Sequence, residues 1–100
     1  MCKYGLPERT LNDLLDYFSK QKDIEKVIIY GSRVKGTYHK GSDVDFAIVG
    51  AQNLDISRIY TELDELPTPY TFDVLNLKTL SHKGLIDSIN SQGQVFYKRG

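Results

Sequence analysis

Cysteine occurs once in the 100 residues, at Cys2, so no disulfide can close within the chain. No zinc site of paired cysteines, or of cysteine with histidine, is available either. A reducing compartment suits such a chain, and a cytoplasmic protein is expected. Excess charge of either sign is also missing, because 13 basic residues cancel 13 acidic ones. Without a long-range field, nothing draws the molecule onto nucleic acid or an anionic membrane, and direct nucleic-acid binding is not expected. The apolar runs are only a few residues long, far below the roughly 18 needed to span a bilayer. The first residues lack the basic-then-apolar pattern of a secretion signal. Low-complexity linkers and internal repeats are absent too. One hundred residues at 40% apolar content suit one small core, and are too few for a catalytic domain with a separate substrate domain. Residues 1–100 are read as a single domain.

What is present alternates between helical and extended patterns. Leu11, Leu14, Leu15 and Phe18 recur at helical spacing and predict an amphipathic helix from Pro7 to about Lys22. Val27-Ile28-Ile29-Tyr30 and Phe46-Ala47-Ile48-Val49 are β-branched or aromatic runs, each halted by a glycine. Between them, Ser32 to Tyr38 predicts a short helix opened by a serine cap. Asp55 is placed to cap a helix carrying Ile56, Ile59, Tyr60 and Leu63, which Pro67 and Pro69 bring to an end. A third strand is expected from Tyr70 to about Leu75. Leu85, Ile86 and Ile89 then give a helix ending near Gly93, and Val95-Phe96-Tyr97 a short extended tail. The order describes an α/β (α+β) domain with a three-stranded sheet and about four helices.

The chemistry collects on two of these strands. Asp43 and Asp45 are two residues apart at the head of a strand, so they share one face while Val44, Phe46 and Ile48 take the other. In Thr71-Phe72-Asp73-Val74-Leu75 the same polarity repeats, with Asp73 opposite the core. On neighbouring strands, three carboxylates would cluster and push one another's pKa upward. A positive partner is then required. Hard oxygen ligands on a rigid sheet suit two Mg²⁺ ions, or Mn²⁺, the usual device for phosphoryl or nucleotidyl transfer. Gly31-Ser32 adds a phosphate seat, where a bare backbone, a hydroxyl and a helix start meet.

Taken together, Tyr30-Gly31-Ser32-Arg33-Val34-Lys35-Gly36, Gly41-Ser42-Asp43-Val44-Asp45-Phe46 and Phe72-Asp73-Val74 resemble the DNA polymerase beta superfamily of nucleotidyltransferases, specifically its minimal bacterial branch. The resemblance runs over nearly the whole chain. It implies a polymerase-beta-like fold, with Asp43, Asp45 and Asp73 as catalytic metal ligands and Asp73 helping to remove the acceptor proton. It also implies that Gly31 and Ser32 hold the triphosphate of ATP, with Arg33 steadying the phosphates. Lys35 stands where the family often has arginine, a departure that keeps the charge. Minimal members are typically encoded beside a helical HEPN partner, as toxin and antitoxin. The enzyme there moves AMP from ATP to a tyrosine of the HEPN protein.

The small size supports the same expectation, since little surface remains to grip an acceptor and another protein would have to present it. Two other classes stay open at this point. One is a non-catalytic antitoxin that inhibits by docking, and the other is a nucleotidyltransferase acting on a small molecule or RNA. Homo- or hetero-oligomerisation is open as well. His39 and His82 lie in polar, glycine-flanked stretches and receive no catalytic role.

Overall fold

The computed structural model describes residues 2–39 and 41–100. The elements run β1 (Cys2–Lys3), β2 (Leu6–Pro7), α1 (Glu8–Ser19), β3 (Ile24–Tyr30), α2 (Ser32–Lys35), β4 (Val44–Gly50), α3 (Ile56–Asp64), β5 (Phe72–Asn76), α4 (Lys83–Gln92) and β6 (Gln94–Lys98). The main sheet has the order β5-β4-β3-β6, and a two-stranded hairpin, β1-β2, stands apart from it. β4 pairs parallel with β5 and antiparallel with β3, which in turn pairs antiparallel with β6. The architecture is the mixed α+β one expected, with four helices among the described residues.

The sheet has one strand more than the sequence predicts. Val95-Phe96-Tyr97 is no loose tail but the middle of β6, laid along the free edge of β3. Gly93 makes this turn possible, since a Cβ there would press on the Ile89 carbonyl and the Ile28 side chain. The β1-β2 hairpin is also unforeseen. Its two-residue turn, Tyr4-Gly5, has positive φ at both positions, the geometry that matches strand twist in tight hairpins.

Burial follows the two-residue alternation of the strands. One face carries Val27, Ile29, Val44, Phe46, Ile48, Phe72 and Val74, covered by Leu14 and Phe18 of α1 and Ile59 and Leu63 of α3. Phe18 meets Phe46 edge-on at 5.3 Å between ring centroids. The other face carries Ile28, Tyr30 and Ala47 and is covered by Ile89 of α4. Two helix starts are capped by side chains. Asp55 accepts from the Arg58 N–H at 3.0 Å, as expected, and His82 Nδ1 accepts from the Leu85 N–H at 3.0 Å. His82 is thus a helix cap. The first helix stops at Ser19, short of the predicted Lys22, because the Lys20 and Gln21 N–H groups turn back to Tyr17 and Phe18.

Candidate active site

Three strand ends meet at the site. Tyr30 ends β3, Asp45 lies near the start of β4, and Asp73 near the start of β5. Tyr30 is the register partner of Asp45, and Asp45 that of Asp73. They form a row across three strands, each about 4.8 Å from the next, on the face away from Phe46 and Phe72. Asp43 stands one step outside β4, and its carboxylate accepts a hydrogen bond from the Thr71 hydroxyl.

Gly31 sits between this row and α2. Its φ of 84° is a left-handed value that other residues rarely adopt. A Cβ on it would lie against Asp45 Oδ2, so the missing side chain gives Asp45 its room. Helix α2 is only four residues long, ended at Gly36 by a left-handed residue whose N–H returns to the Ser32 carbonyl. The predicted helix to Tyr38 is therefore cut short. Gly31, not Ser32, is the capping residue, and no side-chain cap forms. Ser32 is left half-buried beside the turn.

The electrostatics are those of a carboxylate cluster. Burial, then Asp73, then Asp43 push the Asp45 carboxyl up to about 6, against a smaller pull downward from Arg33. Burial with Asp45 and Asp73 raises the Tyr30 phenol to about 12, so it stays neutral at physiological pH. An acid held this far up gains from a cation placed beside it. Among the described residues no three acidic, histidine or cysteine side chains converge into a finished metal cage. The donors are nevertheless all carboxylate oxygens around one under-compensated acid, a set that fits a hard divalent ion.

Arg33, expected to steady the phosphates, is held within the fold. It is only 4% exposed, and its two terminal nitrogens are paired within the protein while its Nε is buried without a hydrogen-bond partner. One amino group donates to the Tyr4 carbonyl and the other to the Ser42 carbonyl, each at 2.9 Å. Its Cζ lies over the rings of Tyr38 and Tyr70, 5.1 and 5.2 Å from their centroids. Arg33 therefore ties the β1-β2 hairpin and the segment entering β4 to one point. Lysine keeps the charge but cannot span two carbonyls or stack as a plane. Arg33→Lys is expected to cost about 1–2 kcal/mol, read by urea unfolding, and unchanged stability would show that the clamp carries no weight.

Thr71, bonded to Asp43, and Tyr38 and Tyr70, against Arg33, are not among the residues the sequence singles out. The alternation that finds Asp73 also puts Thr71 on its face, two residues earlier, whereas the tyrosines meet Arg33 only through the tertiary fold.

Residues 12–100 match the family model for "Polymerase beta, Nucleotidyltransferase". The chain belongs to the polymerase beta nucleotidyltransferase family. Solved structures share the fold of this nucleotidyltransferase. A toxin–antitoxin crystallised with AMP-PNP superposes with a TM-score of 0.65 and 24% identity, over 94% of this chain and 75% of the other. The MntA–HepT toxin–antitoxin gives 0.68 and 16%, over 93% and 74%. A complex of a tri-AMPylated Shewanella oneidensis HEPN toxin with its MNT antitoxin gives 0.69 and 17%, over 92% and 72%. No curated protein matches the sequence. No helix among the described residues is long and apolar enough to cross a membrane.

Proposed function

We propose that this nucleotidyltransferase moves AMP from ATP to a tyrosine hydroxyl of a HEPN-type partner protein and so serves as an antitoxin. The observation that carries the reading is the register pairing of Asp45 with Asp73, with Asp43 one step away and the Gly31 turn packed against Asp45. Similarity to toxin–antitoxin complexes, one with an ATP analogue and one with an AMPylated toxin, supports the choice of donor and acceptor. Asp43, Asp45 and Asp73 are the residues to hold two Mg²⁺ or Mn²⁺ ions, which when bound supply positive charge against the triphosphate and the ionising acceptor.

The chain's own groups divide the remaining work. The Gly31-Ser32 backbone and the Ser32 hydroxyl seat the β- and γ-phosphates. The phenol oxygen attacks the α-phosphorus, a P–O bond forms to tyrosine, and the bond to the β-phosphate oxygen breaks. Pyrophosphate leaves with that electron pair, and Asp73, exposed at the head of β5, accepts the phenol proton. The test is to incubate the chain with the HEPN-type product of its neighbouring gene, Mg²⁺ and each nucleoside triphosphate in turn. The partner's intact mass is expected to rise by one or more AMP units with ATP. A stable complex of unchanged mass would replace transfer by inhibition through docking.

A further inference from the structure

The row of Tyr30, Asp45 and Asp73 has two ends, and the Gly31-Ser32 turn lies at one of them. Across the sheet the order is Tyr30 on β3, Asp45 on β4 and Asp73 on β5, and the Gly31-Ser32 turn follows directly on Tyr30. A phosphoryl group is displaced with its entering and leaving oxygens roughly in line on opposite sides of phosphorus. With pyrophosphate leaving toward the Gly31 turn, the acceptor must enter from the β5 side.

A cavity of about 310 Å³ opens on that side, lined by Gly41, Ser42, Pro69, Tyr70 and Thr71. It adjoins the carboxylates through one residue, because Thr71, which lines it, donates its hydroxyl to Asp43. Its walls are fixed from behind by one residue. Arg33 donates to the Ser42 carbonyl at 2.9 Å and has its Cζ over the Tyr70 ring at 5.2 Å. The described residues that line it are all uncharged. The Tyr70 ring and Pro69 offer flat apolar surface, and Ser42 and Thr71 a polar edge on the side of Asp43. A second cavity of about 240 Å³ shares Gly41 and Tyr70 with the first, so the depression continues past the Tyr70 ring.

We propose that this cavity is the acceptor subsite, shaped for a neutral, flat, hydroxyl-bearing side chain, a tyrosine presented on a segment of the acceptor protein. The assignment rests on the reading of the protein as a tyrosine-directed AMP transferase. The phenol ring lies against Tyr70 and Pro69 while its oxygen points past Thr71 to the carboxylates. The acceptor backbone continues into the smaller cavity. Arg33 is then a positioning residue for the acceptor, acting through Tyr70 and Ser42 and not by touching ATP.

The test separates the two substrates. Steady-state transfer to the HEPN-type partner protein is measured for the wild type, for Tyr70→Ala, which removes the flat wall, and for Pro69→Trp, which narrows the cavity from an exposed rim. Each variant is expected to raise KM for the acceptor protein about tenfold or more, the loss typical of a central aromatic contact. KM for ATP and kcat at saturating acceptor should stay within about twofold. Acceptor binding without nucleotide should weaken in parallel. Pro69→Trp keeps the question decidable if Tyr70→Ala, which also uncovers Arg33, fails to fold. An active wild type with an unchanged acceptor KM in the variants overturns the subsite alone, as does a rise confined to KM for ATP, which would hand the cavity to the nucleotide. A wild type that transfers nothing overturns the subsite together with the reading beneath it.

Discussion

Asp43→Asn combined with Asp45→Asn is expected to lower AMP transfer by at least about a thousandfold, the scale on which mutagenesis removes a preorganised charge from a transition state. The same variant should fold at least as well as the wild type. An asparagine in place of Asp43 can still accept the Thr71 hydrogen bond, and one in place of Asp45 ends a conflict. Asp45 has its pKa raised from 3.8 to about 6 by burial and by its two neighbours, so the folded state holds that proton more tightly than the unfolded chain. The stability this gives is present below about pH 4 and is lost as pH rises through about 6. Above that window the fold carries the full cost of a repelled carboxylate. Allowing for partial exposure, the cost is about 1 kcal/mol, or roughly 4–8 °C in Tm for a domain this small. Thermal melts in EDTA should show the wild type losing stability between pH 4 and 6 relative to the double variant, with the variant ahead at pH 7. Parallel melting curves at every pH would contradict the origin of the strain, and retained transfer would remove both aspartates from the chemistry.

Gly31→Ala is expected to strike fold and activity together. The positive φ at Gly31 costs an alanine about 1 kcal/mol or more. Beyond that, the new methyl meets Asp45 Oδ2, and either the carboxylate or the turn must move. A total loss of about 2–3 kcal/mol follows. Displacement of a reacting group by about 1 Å costs on the order of a hundredfold in rate. Gly36 provides the control. Its φ is 79°, but a Cβ there meets nothing within 4 Å, so Gly36→Ala should cost about 1 kcal/mol and leave turnover alone. If both variants lose the same stability and neither loses activity, contact with Asp45 is not what Gly31 is for.

The sequence is most readable where one physical rule acts locally. Strand alternation sorts Asp43, Asp45 and Asp73 from Val44, Phe46, Phe72 and Val74, and Asp55 marks its helix by an acceptor that side-chain chemistry makes obvious. It is least readable where partners come from far along the chain. Val95-Phe96-Tyr97 is too short to announce a strand, and only the open edge of β3 makes it one. Arg33 reads as a phosphate ligand because a cation beside a phosphate seat invites that assignment. Its partners within the fold, the carbonyls of Tyr4 and Ser42 and the rings of Tyr38 and Tyr70, carry no sequence signal. Ser32 reads as a cap because serine favours that position, yet the helix already begins at Ser32 and Gly31 takes the cap.

The position of β6 also bears on how the molecule is made. β3 lies between β4 and β6, and the contacts closing it come from the opposite end of the chain, as with Arg99 donating to the Ile24 carbonyl across 75 residues of sequence. Such long-range closure is slow, and domains that depend on it complete late during synthesis. On the ribosome, β3 can pair with β4 as soon as Gly50 has emerged, but its other edge stays open until Gln94–Lys98 are released. During that interval the nascent chain offers a bare, β-branched edge to any extended segment nearby, including the β6 of an already finished neighbour.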